Sequence, residues 1–490
     1  MRILMVIQHF NFFRNLDLVV RELDARGHEV VVLHGTRDDA KTRAKLATKK
    51  KRMIHMGRGI ELAASELAAV TVGYRPEPPE RWQKRLRVGR QLISRSIYLR
   101  RGHPSPERVT EAMEKTLPPR LQRLVQSGAG RFLLGRRVAL TAWRRIERMS
   151  PPSRTLVSLL KEVDPDVILV SPTVWPKTPV EADYLRTGRA LGIPTIGYVN
   201  SWDNLTSKGT IHVVPDLFVV WNEALAGEAA ELHDISRERI RITGAPHLDR
   251  FFELQPSASG PEMCGRMACD PERPYVVYLS SSRTLIADEV SVAKGLADAL
   301  ARQFPDAAPT LVVRPHPTNA APWDDCAHPG LVVYPRDGDQ ADTSESWQQY
   351  YDQLAGAICV FGLNTTAFLE AVVADRPCLT IVADEFHPTQ GRTGHFRHLL
   401  AGDFLEVCQD AEGVAARVAR ILEGEDEKAS GRQSFVRSFI RPCGGGRQAS
   451  LEVVDAIEKA AALRGSRRLD LSRATRSRAG TPPTAARERR

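Results

Sequence analysis

One stretch, Cys359 to Val382, constrains the fold more than any other part of the chain. It starts as a short apolar run, turns at Gly362, continues with apolar residues at helical spacing and ends in a second apolar run. This order is typical of a strand, a helix and a second buried strand in a parallel α/β sheet. Asn364 or Thr365 is the predicted N-cap of the helix, since either side chain can accept a hydrogen bond from its first N–H groups.

The turn before this helix has two interpretations. In a parallel sheet it lies at the carboxyl edge, where the hydroxyls of Thr365 and Thr366 and free backbone N–H groups favour a phosphate contact. It is also what an ordinary βαβ unit without a ligand would contain. The stretch by itself does not separate the two.

A second stretch favours the phosphate interpretation. Thr310 to Val313 is a buried-strand pattern that ends in Arg314-Pro315-His316-Pro317. The carboxyl ends of strands are where open α/β sheets bind ligands. A guanidinium fits phosphate in a bidentate fashion, and an imidazole can donate to phosphate or carry a proton.

These two stretches resemble the nucleotide-binding half of GT-B glycosyltransferases. The resemblance is greatest to the group with a His-Pro motif, which includes CDP-glycerol glycerophosphotransferases and CMP-sialic-acid and CMP-Kdo transferases. UDP-N-acetylglucosamine 2-epimerases share the fold. The resemblance implies that His316, Thr365 and Thr366 hold the donor phosphates and that Glu370 holds the ribose. It also implies no metal and no cofactor beyond a CMP-, CDP- or UDP-linked donor, which is a substrate.

The expected architecture is α/β, with two Rossmann-like doubly wound domains in the GT-B arrangement. A chain of 490 residues is too long for one ordinary core. We expect an N-terminal acceptor domain over residues 1–254, with a helical basic insertion at about 36–150. A nucleotide-donor domain is expected over 262–464, and a disordered basic tail over 465–490.

Further site residues come from polar loops that follow predicted strands. The turn Ser280 to Arg283 is either a phosphate contact or a plain capped turn. The loop at 200–209 and the loop at 384–394 are rich in polar groups that suit a sugar or an acceptor. The candidates in these loops are Ser281 and Arg283 for phosphate, and Asn200, Trp202, Asn204 and His387 for the sugar or acceptor.

A transferase also needs a base for the acceptor hydroxyl. His9, just past the first predicted strand, and Asp203, in the loop after a later strand, are the candidates. Each also has a structural interpretation, as a loop histidine or a capping carboxylate. His316 is the third residue to which the sequence assigns a catalytic role.

The positive charge is concentrated in two segments. The net charge is +10, and eight basic residues and no acid occur between Arg81 and Arg101. Leu86, Ile93 and Ile97 share one face of a predicted helix there, a pattern typical of a helix lying at a membrane interface. With the Arg-rich tail, it predicts contact with anionic lipid. The alternatives are a solvated helical subdomain and a helix that packs this apolar stripe onto its own domain. A nucleic-acid partner is not expected, because no known module is present.

The predicted location is the cytoplasm, peripheral to the inner face of the membrane. No apolar run is long enough to span a bilayer, and Gln8 interrupts the apolar start of the chain. The seven scattered cysteines predict neither disulfides nor a zinc site.

Three functions remain open on the sequence. The first is transfer of a sugar or sugar-like phosphate unit to a glycan or lipid-linked acceptor in surface polysaccharide biosynthesis. The second is a nucleotide-sugar 2-epimerase or hydrolase, made less favourable by a turn that reads Leu-Asn-Thr-Thr after Gly362 in place of acidic residues. The third is a non-catalytic GT-B-like binding protein.

Overall fold

Short runs of buried Val, Ile and Leu form two all-parallel β-sheets, seen in a computed structural model of the chain. The structure describes residues 1–35, 58–99, 117–174, 180–283, 285–286, 288–338, 340–391 and 393–479, with side chains up to residue 464. Helices cover both faces of each sheet, as parallel sheets require. The predicted α/β fold with two Rossmann-like halves is confirmed.

The first sheet has seven parallel strands, β1 (Arg2–Ile7), β2 (Glu29–His34), β3 (Val70–Tyr74), β4 (Val167–Ser171), β5 (Thr195–Tyr198), β6 (Leu217–Val220) and β7 (Ile240–Ile242). Their order is β3-β2-β1-β4-β5-β6-β7. Ile3 of β1 pairs with Val30 on one side and Val167 on the other. The strand order therefore reverses at β1, and doubly wound sheets bind ligands beside such a reversal.

The second sheet repeats this plan with the six strands β8 (Tyr275–Leu279), β9 (Thr310–Arg314), β10 (Leu331–Val333), β11 (Val360–Phe361), β12 (Cys378–Ile381) and β13 (Leu405–Cys408). Their order is β10-β9-β8-β11-β12-β13. Val277 of β8 pairs with Val312 of β9 and with Val360 of β11. The two stretches singled out in the sequence therefore flank β8, at the reversal point of this sheet.

The helices that accompany the first sheet are α1 (Asp17–Ala25), α2 (Arg58–Glu66), α3 (Arg81–Ser94), α4 (Pro119–Gln126), α5 (Gly128–Leu134), α6 (Arg137–Met149), α7 (Arg154–Val163), α8 (Glu181–Ala190), α9 (Asn204–Ser207), α10 (Glu223–His233) and α11 (Asp249–Glu253). Short 3-10 turns lie at Phe10–Asn15, Arg237–Arg239 and Pro246–Leu248.

The helices of the second half are α12 (Gly260–Met267), α13 (Val290–Gln303), α14 (Ser344–Ala355), α15 (Phe368–Val373), α16 (Phe396–Ala401), α17 (Ala411–Leu422), α18 (Ala429–Phe435) and α19 (Ala449–Ala479). A 3-10 turn at Ala321–Trp323 and a π-helical turn at Val436–Ile440 complete them.

The apolar face of helix α3 packs inside the protein, contrary to the expectation that it meets a membrane. Leu86, Ile93 and Ile97 are buried. Arg90, on the same helix, is also fully buried, and its guanidinium donates to Glu147 of α6 at 2.9 Å and to Asp183 of α8 at 2.7 Å. The amphipathic pattern therefore faces the protein's own helices, which supply the carboxylates that neutralise the buried arginine. Arg100 and Arg101, and residues 36–57 of the insertion, lie outside the described residues.

The last helix crosses back onto the first half. Val453, Val454 and Ile457 of α19 share a core with Ile3 and Met5 of β1. The helix continues to Ala479, past residue 465, from which the sequence predicts a disordered tail. Residues 465–479 contain five Arg, two Leu and two Ala, which are good helix formers. Residues 480–490 of the tail lie outside the described residues. Among the described residues, no helix is long and apolar enough to cross a membrane.

Candidate functional site

A cleft of about 840 Å³ lies between the carboxyl edges of the two sheets. Loops after β1, β5 and β6 line it from the first half, and loops after β8, β9, β11 and β12 line it from the second. Because parallel strands end at one edge, loops far apart in sequence meet there. The predicted site residues that line the cleft are Asn200, Trp202, Asp203, Arg314, His316, Asn364, Thr365, Thr366 and Glu370.

His316 lies at the end of β9 with its ring orientation set by its neighbours. Its backbone N–H donates to Ser280 Oγ at 2.7 Å, and its Nδ1 accepts from the Thr318 backbone N–H at 3.1 Å. Burial, reinforced by the positive charge of Arg14, lowers the pKa of His316 to about 4. The ring is therefore neutral at pH 7 and carries its proton on Nε2, which can donate to an anionic ligand.

Two arginines reach the cleft and are held by aromatic faces. Arg314 lies over the ring of Tyr350 at 4.2 Å and donates to Gln353 Oε1 at 3.0 Å. Arg14, from the 3-10 turn after β1, lies over Trp347 at 4.7 Å. These contacts restrict both guanidiniums, so that they offer positive charge in fixed places.

Glu370 forms an ion pair with Arg14 in the lining of the cleft. Its Oε1 lies 3.6 Å from Arg14 Nη2, while its Oε2 is buried and has no hydrogen-bond partner within the described residues. Burial raises the pKa of Glu370, and the Arg14 charge opposes that shift. A buried carboxylate oxygen without a donor is costly, and a ligand hydroxyl would satisfy it.

The turn before α15 differs from the predicted N-cap. The helix begins at Phe368, and neither Asn364 nor Thr365 caps it. Instead, the backbone N–H of Asn364 donates to Ser281 Oγ, and its side-chain amide donates to the Thr389 carbonyl. Thr365 Oγ1 accepts from the Ala367 N–H. Long-range partners therefore hold residues 364–367 as a separate turn, which exposes Thr366 to the cleft.

Trp202 joins the two halves at this turn. Its indole Nε1 donates to Thr366 Oγ1 at 3.1 Å, and its ring meets the ring of His395 edge to face at 4.9 Å. Trp202 is almost fully buried in the wall of the cleft, whereas Thr366 is exposed to the cleft. The loop after β5 in the first half thereby positions the Thr366 hydroxyl of the second half.

Asp203 is held by positive charge. Its Oδ2 lies 3.1 Å from Lys208 Nζ and accepts from Ser207 Oγ at 3.1 Å. Burial tends to raise the pKa of Asp203, but Lys208 and then His395 outweigh it and leave the pKa well below its usual value. Such a carboxylate is ionised at pH 7, and protonation would cost it the ion pair with Lys208.

His395 is a cleft residue that the sequence did not single out. Its Nδ1 is buried and has no partner within the described residues. Burial lowers the pKa of His395 to about 4, while the Asp203 charge acts in the opposite direction. The ring is therefore neutral at pH 7, can accept a proton, and would have a carboxylate nearby to stabilise the resulting cation.

The other predicted residues lie outside the lining of the cleft. His9 Nδ1 accepts from the Asn11 N–H at 3.3 Å and caps the 3-10 turn, and Asn204 Oδ1 accepts from the N–H groups of Asn200 and Ser201. Arg283 and His387 have exposed side chains, and Ser281 is fully buried. His9 and Asn204 therefore shape the loops that carry Asn11 and Asn200.

Ser281 belongs to a buried network behind the cleft. Its N–H donates to the Glu289 carboxylate at 2.9 Å, and the Tyr278 hydroxyl donates to the same carboxylate at 3.3 Å. Burial, partly opposed by these bonds, raises the pKa of Glu289 from 4.5 to about 7. The carboxyl group thus holds the turn after β8 from inside the domain.

This network predicts a pH-dependent stability. Because the pKa of Glu289 is raised in the folded state, its contribution to stability is fully present below pH 4.5. The free energy of unfolding should fall by about 3 kcal/mol as the pH rises through 7. Glutamine in place of Glu289 cannot ionise, so the variant should not show this fall. The free energy of unfolding of the variant, relative to that of the wild type, should therefore rise by about the same amount between the two pH values. Urea unfolding of both proteins at the two ends of the interval measures it, and a pH-independent difference would contradict it.

Arg14, Lys208, His247 and His395 line the cleft without having been predicted. Each follows a strand or lies in a polar loop, but nothing local distinguishes them from solvated residues. Within the described residues, no group of three or more His, Cys, Asp or Glu side chains is arranged to hold a metal ion.

No protein-family model matches the chain, and no curated protein matches its sequence. Solved structures do share the fold. The UDP-GlcNAc 2-epimerase of Neisseria meningitidis, solved with UDP-GlcNAc bound, is 11% identical with a TM-score of 0.51, over 94% of this chain and 100% of that one. The UDP-N-acetylglucosamine 2-epimerase of Rickettsia bellii is 12% identical with a TM-score of 0.51, over 94% and 97%.

A glycosyltransferase is among the similar structures as well. The glycosyltransferase of kitacinnamycin is 12% identical with a TM-score of 0.50, over 94% of this chain and 98% of that one. The predicted GT-B, epimerase-like fold is thereby confirmed, and the neighbours are enzymes. At these identities the likeness concerns the fold, which both kinds of reaction share.

Proposed function

We propose that this protein is a GT-B enzyme that transfers a sugar or sugar-like phosphate unit from a nucleotide-activated donor to a hydroxyl of a glycan or lipid-linked acceptor, in the building of a surface polysaccharide. One observation carries the proposal. A neutral His316, Thr365, Thr366 and Glu370 all line one cleft between the two halves, and the buried Oε2 of Glu370 has no hydrogen-bond partner within the described residues.

The donor would lie along the second half of the cleft. His316 Nε2–H and the two threonine hydroxyls would donate to its phosphate oxygens, and the charge of Arg14 and Arg314 would stabilise the negative charge that grows on the leaving group. Glu370 would accept from the ribose hydroxyls. A uridine or cytidine nucleotide fits this proposal, since the Neisseria neighbour binds UDP-GlcNAc and the His-Pro pair resembles cytidine-dependent transferases.

The acceptor would enter from the first half. Asn200, Asp203 and Lys208 line that side. We assign the base to His395, because its ring is neutral at pH 7, its buried Nδ1 has no partner within the described residues, and the Asp203 charge favours its protonated form. Asp203 would orient the ring and stabilise the imidazolium ion, in the manner of a carboxylate–histidine pair.

A 2-epimerase is the second candidate, supported by the similar structures of two such enzymes. Epimerisation at a carbon of the sugar needs acid and base groups around the sugar. Among the described residues that line the cleft, the acidic ones are Asp203 and Glu370, which are paired with Lys208 and Arg14. This shortage of unpaired acids favours transfer.

Calorimetry with CMP, CDP, UDP and GDP tests the proposal first, since a non-catalytic protein without a nucleotide site would bind none of them. Incubation with the matching nucleotide sugar alone then separates the two reactions. A transferase should leave the donor intact until a glycan or lipid-linked acceptor fraction is added. Conversion to an epimer or to free sugar without acceptor would overturn transfer.

The role of Glu370 leads to a separate prediction. Glu370→Gln should weaken binding of the ribonucleotide by roughly 10- to 100-fold, the value of a hydrogen bond to a charged group. It should change binding of the 2′,3′-dideoxy form little, because that form has no hydroxyls to donate. Calorimetry on both ligands gives the ratio, and equal losses on the two would assign Glu370 to a structural role beside Arg14.

A further inference from the structure

The insertion carries apolar side chains that no other part of the described chain covers. Over α4, α5 and α6, six large apolar side chains are between 47% and 75% exposed: Leu124, Phe132, Leu133, Val138, Ile146 and Met149. Single exposed apolar residues are common on proteins, but a concentration of this kind marks an interaction surface. We call these residues and the arginines between them the insertion patch.

Helical geometry places part of the insertion patch on one face of α6. Val138, Ile146 and Met149 are exposed at spacings that fall on one side of the helix, whereas Leu140 and Glu147 on the opposite side are buried. The outward side of the helix therefore carries large apolar side chains beside the exposed arginines Arg137, Arg145 and Arg148. A helix whose outer side only faces water needs no large apolar side chains there.

The charge of the insertion patch has a single sign. Residues 119–149 contain eight arginines and one acid, Glu147, which is buried against Arg90. Seven of the arginines are exposed: Arg120, Arg123, Arg131, Arg136, Arg137, Arg145 and Arg148. Of these, Arg137 has an acidic partner within salt-bridge distance in the described part of the chain, and Arg136 lies over the exposed ring of Phe132 at 4.1 Å.

The insertion patch is attached to the loop that lines the cleft. Arg144 of α6 donates to the Ile211 carbonyl at 2.9 Å, and the Tyr98 hydroxyl accepts from the Gly209 N–H at 2.6 Å. Lys208, which lines the cleft, is the residue before Gly209. A surface bound by the insertion patch would therefore lie beside the acceptor side of the cleft.

We propose that the insertion patch docks the protein on an anionic lipid membrane. Exposed apolar side chains insert among the acyl chains near the headgroups, and arginines pair with the anionic headgroups around them. A second copy of the chain fits less well, because a two-fold contact would bring the same positive surface against itself. Nucleic acid would pair with the arginines and leave the apolar side chains in water.

Vesicle flotation tests the proposal without any nucleotide, so its outcome is independent of the proposed reaction. The full chain should float with phosphatidylcholine vesicles that contain about one third phosphatidylglycerol in about 0.1 M salt. It should float much less in about 1 M salt, where the screening length falls from roughly 10 Å to 3 Å. It should not float with pure phosphatidylcholine.

Variants locate the contact. Phe132→Ser with Leu133→Ser, and separately Arg145→Gln with Arg148→Gln, should each lower the vesicle partition coefficient roughly tenfold or more. The controls change exposed residues elsewhere: Leu422→Ser with Leu463→Ser, and Arg336→Gln with Arg437→Gln. These should float like the wild type, since the substitutions lie on the surface, and thermal melting checks that every variant is folded.

Three results would overturn the proposal. The first is no flotation with the anionic vesicles in low salt. The second is unchanged flotation of the two patch variants, or a loss of flotation in the control variants that is as large as in the patch variants. The third is a dimer in sedimentation velocity that Phe132→Ser with Leu133→Ser dissociates, which would assign the insertion patch to contact between copies of the chain.

Discussion

Alanine in place of His316 should weaken binding of the nucleotide by roughly 10- to 100-fold and lower kcat/KM at least as much. A hydrogen bond to a charged group contributes about 1.5–3 kcal/mol, and each ~1.4 kcal/mol is a factor of ten. The proposed bond comes from Nε2–H, since Nδ1 already accepts from Thr318. Because the pKa of His316 is about 4, the loss should be the same from about pH 6 to pH 8.

Calorimetry with the nucleotide measures this loss, and thermal melting shows whether the variant is folded. The backbone bond from residue 316 to Ser280 Oγ does not depend on the side chain. His328→Ala is the matched control: it lies in the same half, pairs with Asp298 at 3.0 Å and does not line the cleft. Nucleotide affinity that is unchanged in His316→Ala would remove this residue from the donor site.

Glutamine in place of His395 should lower kcat by roughly 100- to 10,000-fold, the usual contribution of a positioned general base. Donor affinity should stay within about twofold, because His395 acts on the acceptor in the proposed arrangement. Glutamine keeps a polar side chain of similar size next to Trp202 but cannot take a proton at pH 7. Burial holds the pKa of His395 at about 4, so wild-type kcat/KM should show no acidic limb between about pH 5.5 and pH 8.

Comparison of kcat with the donor dissociation constant separates this role from a structural one. Asp203→Asn is the companion variant: it keeps the shape of the loop but removes the charge that stabilises the imidazolium ion, and its kcat should fall less than that of His395→Gln. Equal losses of donor affinity and kcat in His395→Gln would show that the ring supports the wall beside Trp202 instead of taking the proton. A larger loss in Asp203→Asn would transfer the role of base to Asp203.

The local features of the site were predictable from sequence. Buried apolar runs show where strands lie, and parallel strands must end at a common edge, so Arg314, His316, Thr365 and Thr366 were correctly expected at one edge of the second sheet. Glu370 was expected in the following helix and lies in its first turn. The helix start was not predictable, because the hydrogen bonds that hold Asn364 come from residues 83 and 25 positions away.

The charged helix α3 shows the limit of periodicity. Its pattern of Leu86, Ile93 and Ile97 with interspersed arginines identifies an amphipathic helix, but an apolar stripe fits a protein core as well as a lipid surface. The structure shows that α3 packs within the protein, where Glu147 and Asp183 of two other helices neutralise its buried Arg90. The same folding leaves the apolar residues of α5 and α6 exposed, so that the proposed membrane contact falls on helices different from the expected one.

By itself, the sequence determined the two-fold repeat of parallel α/β units and the residues at the strand ends, because side-chain periodicity and turn geometry act over a few neighbouring residues. Only the tertiary structure decided how the two halves meet. It brought Arg14 to Glu370, Trp202 to Thr366, and His395 to Asp203, pairs separated by more than 150 residues. Such contacts depend on how whole sheets and helices bury their apolar faces against each other, and no short stretch of sequence records that outcome.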